Sequence, residues 1–269
     1  MGDTLETNIS DKNFADEVIP TLKPEHVAAL EEFRKLASGK SCKEIEQKIG
    51  SFTLSDATLL RFLQQRLFNV EKAEKLLDKH LDWRDKYMPS TLTVSDIEAP
   101  LKSGIVRRAG LSKERTPIVF IDVENFHPKK LYSDHDDFVK LCAFFFEYNI
   151  RLLQPGVYHG VIIFDLKGYS YKEHGNKLSL FLVQILIQIV QEQYPQRMRK
   201  IYITNAPYLF NMLWNIIKVW MEKDLKEKIV IVKNMETLKE LIDEDVLEER
   251  FGGRRSEPYP IDGVDIPLE

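Results

Sequence analysis

The feature that most constrains this chain is the alternation of short β-rich runs with helical stretches from about Leu101 onward. The β-rich runs lie at residues 117–123, 161–165, 201–204 and 229–232. Helical patterns occupy residues 134–153, 177–193 and 207–227. Because strands that are separated by helices usually pair in parallel, this order predicts an α/β unit with a mixed, mostly parallel sheet. We place this unit at residues 95–255.

The first part of the chain carries helical patterns only. At residues 57–67, leucines recur at helical spacing behind Asp56, which can cap a helix. A stretch rich in Ser, Thr and Pro at residues 89–100 marks a boundary with the α/β unit. We therefore predict an all-helical N-terminal module at residues 21–88. The terminal segments are predicted as a mobile tail at residues 1–20 and a loose tail at residues 256–269.

Composition and charge exclude several classes of protein. The net charge of -4 gives no general attraction to nucleic acid, so no nucleic-acid partner is expected. The two cysteines, Cys42 and Cys142, lack metal-type spacing and fit a reducing cytoplasm. No signal-peptide pattern begins the chain, and the longest apolar stretch, residues 178–190, is well short of the ~20 residues that span a bilayer. Membrane contact is therefore expected to be peripheral and transient.

The segment after Pro207 predicts an unusually apolar helix. Its polar residues Asn211, Asn215, Lys218 and Glu222 are three or four positions apart and form one narrow stripe. Residues 178–190 show a similar pattern. One interpretation is that both helices simply pack on the sheet. Two nearly all-round apolar helices instead favour a lipid pocket, with one helix facing a cavity on one side and a membrane on the other.

Several strings, in their order along the chain, resemble the CRAL-TRIO lipid-transfer family over about residues 25–253. The strings are LLRFLQQR at 59–66 with FNV at 68–70, IFDLKG at 163–168, YPQR at 194–197, YITNAP at 202–207 and FGG at 251–253. Each string alone is weak, but their order and spacing are specific. The resemblance extends to the α-tocopherol transfer and retinaldehyde-binding branch and to the yeast phosphatidylinositol transfer branch. It implies a CRAL-TRIO lipid-binding domain behind the helical N-terminal module.

The resemblance also gives the apolar helix a role as a gate over the bound lipid. Pro207 suits the first turn of that helix. Trp214 and Trp220 lie on the gate and are expected to meet the bilayer when it opens. Relatives commonly carry a Lys-Pro pair in the middle of the gate, whereas this chain has Lys218 followed by Val219. The kink that such a proline would cause is therefore not expected.

A phosphoinositide headgroup needs several cations that converge on its phosphates. In the tocopherol-transfer branch a basic cleft beside the gate docks such a headgroup, which implies the same role for the matching residues here. These residues are Arg66, Arg197, Arg199 and Lys228. Asp224 replaces another basic residue of that cleft. The plain alternative for any Lys or Arg of this kind is surface solubility.

The yeast branch buries phosphatidylinositol, and there the match is poorer. Leu67, Gln196 and Leu225 stand where that branch has Lys, Glu and Thr. Gln196 can still hydrogen-bond a headgroup, but neither leucine can. We therefore expect an apolar cargo inside the protein and a phosphoinositide-containing membrane at the rim, with Gln196 among the headgroup contacts.

Candidate pocket residues are apolar side chains from the helices and strands of the α/β unit. They are Phe145, Tyr148, Ile162, Phe164, Phe181, Ile185, Phe210, Leu213 and Ile217. The alternative for each is an ordinary core residue.

An enzyme is the second class of function considered. The chain has no GxSxG elbow, no Gly-rich phosphate loop and only scattered histidines, so we predict no catalytic residue, cofactor or metal site. A lipid-responsive scaffold that binds a partner protein without moving lipid remains open. Its partner surface could be the acidic segment at residues 243–249.

Overall fold

The computed structural model describes residues 9–132, 134–151 and 153–257. Of the two expected terminal tails, residues 1–8 and 258–269 lie outside the described residues. Across the described chain, every helix is too short or too polar to serve as a membrane span.

The N-terminal module is built from helices around one apolar core. They are α1 Ile9–Val18, α2 Pro24–Ala37, α3 Lys43–Glu46, α4 Asp56–Gln65 and α5 Val70–Tyr87. Ser55, rather than Asp56, caps α4, because its hydroxyl accepts a hydrogen bond from the Thr58 amide at 3.5 Å. Asn69 caps α5 in the same way through the Lys72 amide at 2.9 Å. The apolar faces of these helices pack together in a single buried cluster.

Helix α1 replaces part of the mobile tail that was expected over residues 1–20. Its Phe14 side chain is only 4% exposed. The Phe14 ring lies 4.1 Å from the guanidinium carbon of Arg61 and meets the ring of Tyr158 edge-on at 5.2 Å. Phe14, with Ala15 and Val18 packed in the same cluster, therefore holds a segment whose acidic, polar composition made it look unstructured.

The α/β unit contains the predicted sheet. Its strands are β1 Val106–Leu111, β2 Pro117–Asp122, β3 Gly160–Asp165, β4 Met198–Thr204 and β5 Ile229–Ile231. They lie in the order β1-β2-β3-β4-β5, with β1 antiparallel to β2 and the other pairs parallel. The mixed, mostly parallel sheet is thus confirmed, although β1 was not anticipated.

Helices cover one face of the sheet and the C-terminal segment covers the other. The helices of the unit are α6 Glu98–Lys102, α7 Pro128–Leu131, α8 His135–Arg151, α9 Tyr171–His174, α10 Lys177–Gln188, α11 Phe210–Ile217, α12 Lys223–Lys228 and α13 Glu236–Leu241. Alternate strand residues point to opposite faces, so Ile162 packs with α8, α10 and α11 while Ile163 packs with α13 and Phe251.

A buried ionic network joins the two units. The Arg84 guanidinium, on α5, is 2% exposed in side-chain area and pairs with Glu44 of α3 and, at 3.0 Å, with Glu147 of α8. Removing one partner of such a pair leaves a buried charge, at a cost of about 3–5 kcal/mol. The Arg84 network therefore fixes the N-terminal module against the α/β unit.

Candidate functional site

An apolar cavity of about 200 Å³ lies between the sheet and helices α8, α10 and α11. Its sheet-side walls include Ile162, Phe164, Ile201 and Ile203. Apart from His174, the lining side chains are those of apolar residues and Cys142. A space of this size corresponds to about seven waters at their volume in the liquid, but apolar walls offer them no hydrogen bonds. The cavity therefore suits an apolar ligand.

Helix α11 separates this cavity from solvent. Phe210, Leu213 and Ile217 point inward and line the cavity, each at most 7% exposed. The opposite side of the helix and its flanks carry exposed apolar side chains, which are Tyr208, Leu209, Met212, Ile216 and Val219. Helix α11 is therefore apolar on both its cavity side and its solvent side, as the sequence pattern of this segment predicts.

The structure sorts the sequence-predicted pocket residues into two groups. Ile162, Phe164, Phe210, Leu213 and Ile217 line the cavity. Phe145, Tyr148, Phe181 and Ile185 are not among the lining residues. Helical geometry explains why the two predicted residues on α8 do not line the cavity. The cavity-facing side of α8 carries Phe138, Cys142 and Phe146. Phe145 and Tyr148 lie on another side of the helix and pack in the cluster around Ile97 and Leu101.

The predicted gate aromatics do not form the outer face of α11. Trp214 is half-buried and lines the cavity, and Trp220 is half-buried against the same core cluster. Phe210 is buried. The exposed side chains on and beside α11 are the aliphatic residues and Tyr208, not the tryptophans.

The segment expected to be one helix is interrupted near its middle without a proline. After α11 comes a 3₁₀ turn at Lys218–Trp220, and Met221 and Glu222 are extended before α12 begins. The side-chain amide of Gln191 bridges this break. Its Oε1 accepts a hydrogen bond from the Glu222 backbone N–H at 2.6 Å, and its Nε2 donates one to the Trp220 backbone carbonyl at 3.4 Å. Gln191 is 6% exposed and lies in a π-helical turn, Ile189–Gln193. Side-chain bonds thus satisfy backbone groups that the break leaves unpaired.

The N-terminal module also contacts the end of the segment that was predicted to be the gate. Arg66 Nη1 donates to both carboxylate oxygens of Glu222, at 2.8 and 3.0 Å. Gln65 Nε2 donates to the same carboxylate at 2.7 Å. We call these contacts of Arg66 and Gln65 with Glu222 the gate latch. The latch ties the C-terminal end of α4 to the residue just before α12.

The start of the gate is fixed by the motif that ends β3. The Asp165 carboxylate accepts from Asn205 Nδ2 at 2.7 Å and from Arg250 Nη1 at 3.0 Å. Asn205 sits in the left-handed region, with a φ of 51°, which asparagine tolerates better than most residues. The Phe-Gly-Gly string next to Arg250 needs its second glycine, because a Cβ on Gly253 would lie 1.8 Å from the Leu247 carbonyl oxygen.

The predicted headgroup cations converge at the amino ends of the parallel strands. Arg197 immediately precedes β4 and Lys228 immediately precedes β5, so neighbouring strands bring them together. The positive charge of these side chains also affects the pKa of His159, which lies just before β3. Burial lowers the pKa of His159 to about 3, and four positive side chains act in the same direction. They are Arg61, Lys228, Arg197 and Arg199.

Gln196 and Arg66 join this region through hydrogen bonds. Gln196 Oε1 accepts from Lys228 Nζ at 2.9 Å, and Gln196 Nε2 donates to Gln65 Oε1 at 3.2 Å. Arg61 Nη1 donates to the Gln196 carbonyl at 3.1 Å. We call the set of Arg66, Gln196, Arg197, Arg199 and Lys228 the basic cluster.

Members of the basic cluster differ in accessibility and already contact carboxylates. Arg197 is 9% exposed and lines a cavity of about 50 Å³ beneath the N-terminal module. The more accessible cations each have an acidic partner. Arg66 pairs with Glu222, Lys228 with Asp224 and Arg199 with Glu114. A polyanionic ligand at this cluster would have to compete with these three carboxylates.

Sequence reasoning missed several residues that shape the site. Glu222 was noted only as a polar position on an apolar helix, and Gln191, His159 and Arg61 were given no role. No local signal marks Glu222, because the pattern predicted one continuous helix where the structure has a break. Within the described residues, no group of three His, Cys, Asp or Glu side chains is arranged to hold a metal ion.

Comparison with known proteins identifies relatives. Protein real-time of Aedes aegypti is 25% identical over 244 residues, which cover 84% of this chain and 36% of that protein. Phosphatidylinositol transfer protein CSR1 of Eremothecium gossypii is 26% identical over 259 residues, which cover 91% of this chain and 58% of that protein. The chain therefore spans only part of the length of these curated relatives.

The fold and the family are shown by two further matches. The crystal structure of Sfh5 superposes with a TM-score of 0.68 at 16% identity, covering 88% of this chain and 90% of that chain. Its likeness shows the shared fold. Residues 101–253, more than half of the chain, match the family described as the CRAL/TRIO domain. The chain therefore belongs to the CRAL/TRIO domain family.

Proposed function

We propose that this protein binds one hydrophobic lipid in the cavity behind α11 and carries it between membranes. The observation that carries the proposal is an apolar cavity of about 200 Å³ whose outer wall is a single helix with an apolar face on both sides. The names of relatives support a lipid cargo. CSR1 is called a phosphatidylinositol transfer protein, and SFH12 of Arabidopsis thaliana a phosphatidylinositol/phosphatidylcholine transfer protein.

Helix α11 acts as the gate in this proposal. Its Met212 and Ile216 side chains, and Val219 in the turn that follows it, are 61%, 46% and 74% exposed to water. At a bilayer the same side chains leave water, which favours outward movement of the helix at the membrane and closure away from it. Opening there joins the cavity to the hydrocarbon of the bilayer, so the lipid never crosses water unprotected.

The basic cluster is proposed to dock a phosphoinositide headgroup during exchange. Arg199, 46% exposed in side-chain area, and Lys228 are reachable from the surface, with Arg66 beside the gate. A phosphate monoester carries more charge than one carboxylate and accepts more hydrogen bonds, so it can displace Asp224 and Glu114 from these cations. Buried Arg197 adds positive potential from beneath.

The first test is native mass spectrometry of the purified protein, followed by solvent extraction and lipid identification. We expect one bound lipid per chain. If the protein carries no lipid and takes none from a lipid mixture, the carrier proposal is wrong. Saturable binding without transfer between vesicles would instead indicate a lipid-responsive scaffold.

The docking role is tested with the double variant Arg199→Gln and Lys228→Gln. Transfer stimulated by phosphoinositide in acceptor vesicles should fall roughly tenfold, since each charge-assisted contact contributes about 1 kcal/mol or less at a partly exposed site. Lipid content should not change. The matched control removes two exposed lysines elsewhere, Lys75→Gln and Lys102→Gln, whose side chains are 71% and 73% exposed. Equal transfer by both double variants would rule out the docking role.

A further inference from the structure

Leu67 is the most exposed of the large hydrophobic side chains in the described residues, at 90%. It lies in the turn between α4 and α5 with a φ of 50°, and Phe68 follows with a φ of 60°. Glycine or asparagine adopts this left-handed backbone more readily than leucine does. Neither burial nor backbone preference therefore accounts for a leucine at this position, and strain of this kind points to a function.

The turn holds Leu67 outward rigidly. The Leu67 amide donates to the Gln64 carbonyl at 3.2 Å, and the Phe68 amide donates to the Leu63 carbonyl at 2.7 Å. The Phe68 ring stacks on His26 with a centroid distance of 3.7 Å. On the other side, Arg66 is held by the gate latch. These contacts fix the backbone on both sides of Leu67 and so set the direction in which its side chain leaves the turn.

Arg66 joins this turn to the segment that follows α11. Arg66, next to Leu67 in sequence, contacts Glu222, which lies three positions after Val219, a side chain that is 74% exposed. Lys218 and Lys223 are exposed as well, and Lys223 also meets the Glu227 carboxylate at 3.7 Å. Exposed aliphatic groups with flanking lysines fit an anionic bilayer surface, where apolar groups insert and cations stay at the headgroups. A dry protein groove would not match these charges as well.

We propose that Leu67 is a second membrane anchor, which inserts into an anionic bilayer from the N-terminal module beside the gate. The inference rests on the proposed function, because it requires docking at a membrane. It adds that the N-terminal module takes part in docking, so that the gate moves relative to a turn that is itself held in the bilayer.

Environment-sensitive labelling tests the anchor directly. Leu67→Cys is labelled with a nitrobenzoxadiazole fluorophore; the native Cys42 is buried and Cys142 half-buried, and burial raises the pKa of both thiols, so both react slowly. Phosphatidylcholine vesicles containing a phosphoinositide should shift the emission to the blue. The matched control is Leu36→Cys on α2, where the leucine is 40% exposed, and its emission should not change.

A second variant measures the contribution of the side chain to binding. Leu67→Asn suits the left-handed backbone and should keep the fold, while binding to the same vesicles weakens about tenfold or more through loss of one inserted leucine. Leu36→Asn should bind as the wild type does.

The outcomes separate the anchor from the carrier function. If the protein binds vesicles and transfers lipid while the label at position 67 stays in water, the anchor is refuted and the carrier proposal stands. If it neither binds vesicles nor transfers lipid, both fail. A blue shift that depends on protein concentration without vesicles would refute the anchor in favour of contact with a second copy of the chain.

Discussion

The gate latch makes a quantitative prediction for the variant Glu222→Gln. The Glu222 carboxylate accepts three hydrogen bonds, from Arg66 at 2.8 and 3.0 Å and from Gln65 at 2.7 Å. Hydrogen bonds to charged groups contribute about 1.5–3 kcal/mol when buried, but exposed ion pairs contribute only about 0–1 kcal/mol. Since the Glu222 side chain is 40% exposed and that of Arg66 18%, we assign the latch about 1 kcal/mol.

That free energy converts directly into an exchange rate. Glutamine keeps the size of the side chain and one acceptor, so the variant loses the charge-assisted part of the latch. A loss of about 1 kcal/mol raises the population of the open gate about fivefold. We therefore expect release of a fluorescent lipid to acceptor vesicles, followed by stopped-flow fluorescence, to be about fivefold faster. The matched control is Glu227→Gln, whose carboxylate is 65% exposed and meets Lys223 at 3.7 Å.

A double-mutant cycle separates the latch from unrelated effects. With acceptor vesicles that lack phosphoinositide, so that docking by Arg66 does not contribute, Arg66→Gln alone should speed release to a similar extent, and combining it with Glu222→Gln should add little, because the two residues form one contact. If Glu222→Gln releases lipid at the rate of the Glu227→Gln control, the latch does not hold the gate. Fully additive effects of Arg66→Gln and Glu222→Gln would refute the pairwise contact as well.

Two further predictions concern the cavity and the core. Leu213→Trp fills the apolar cavity, so the folded variant should retain much less lipid in native mass spectrometry than the conservative variant Leu213→Met; equal lipid content would show that cargo lies elsewhere. For His80, burial first and the Arg84 charge second lower the pKa to about 3, so the unfolded chain takes up a proton near pH 6.5 that the folded protein does not. The neutral His80 therefore contributes its full stabilisation above pH 6.5, and this stabilisation is lost as the pH falls toward 3. At pH 5 the loss in the free energy of unfolding is about 2 kcal/mol. Urea unfolding at pH 7.5 and 5 should show this loss in the wild type and a smaller one in His80→Asn; equal losses would contradict it.

Strand β1 shows why part of the fold was not predictable from local pattern. Its sequence, Val106–Leu111, contains an alanine and a glycine, which are depleted in strands, and two consecutive arginines that interrupt any apolar run. Arg107 is nevertheless buried, because its guanidinium pairs with Asp122 and Glu248. Glu248 is more than a hundred positions away in sequence. By contrast, β2, β3 and β4 are dense in apolar and β-branched residues, so composition alone indicates them.

The site shows the same division between local and distant information. Parallel strand order follows from the alternation of elements, and it suffices to bring Arg197 and Lys228 together at the strand starts. The cavity-facing side of α8 does not follow, since this helix is apolar on several faces and only its neighbours decide which one meets the cavity. Phe145 and Phe146 are adjacent in sequence, yet Phe146 lines the cavity and Phe145 packs in a different cluster.

The break after α11 does not depend on a proline, which was the cause of a kink that the sequence analysis considered. A proline bends a helix by its own covalent structure, and Val219 cannot. Here the bend depends on Gln191, which bonds to backbone groups on both sides of it, and on Glu222, which bonds to the N-terminal module. Because none of these bonds is intrinsic to residues 218–222, we expect the bend to last only while this segment is docked against the π-helical turn and Arg66. In the proposed gate, the contacts that close it therefore also shape it.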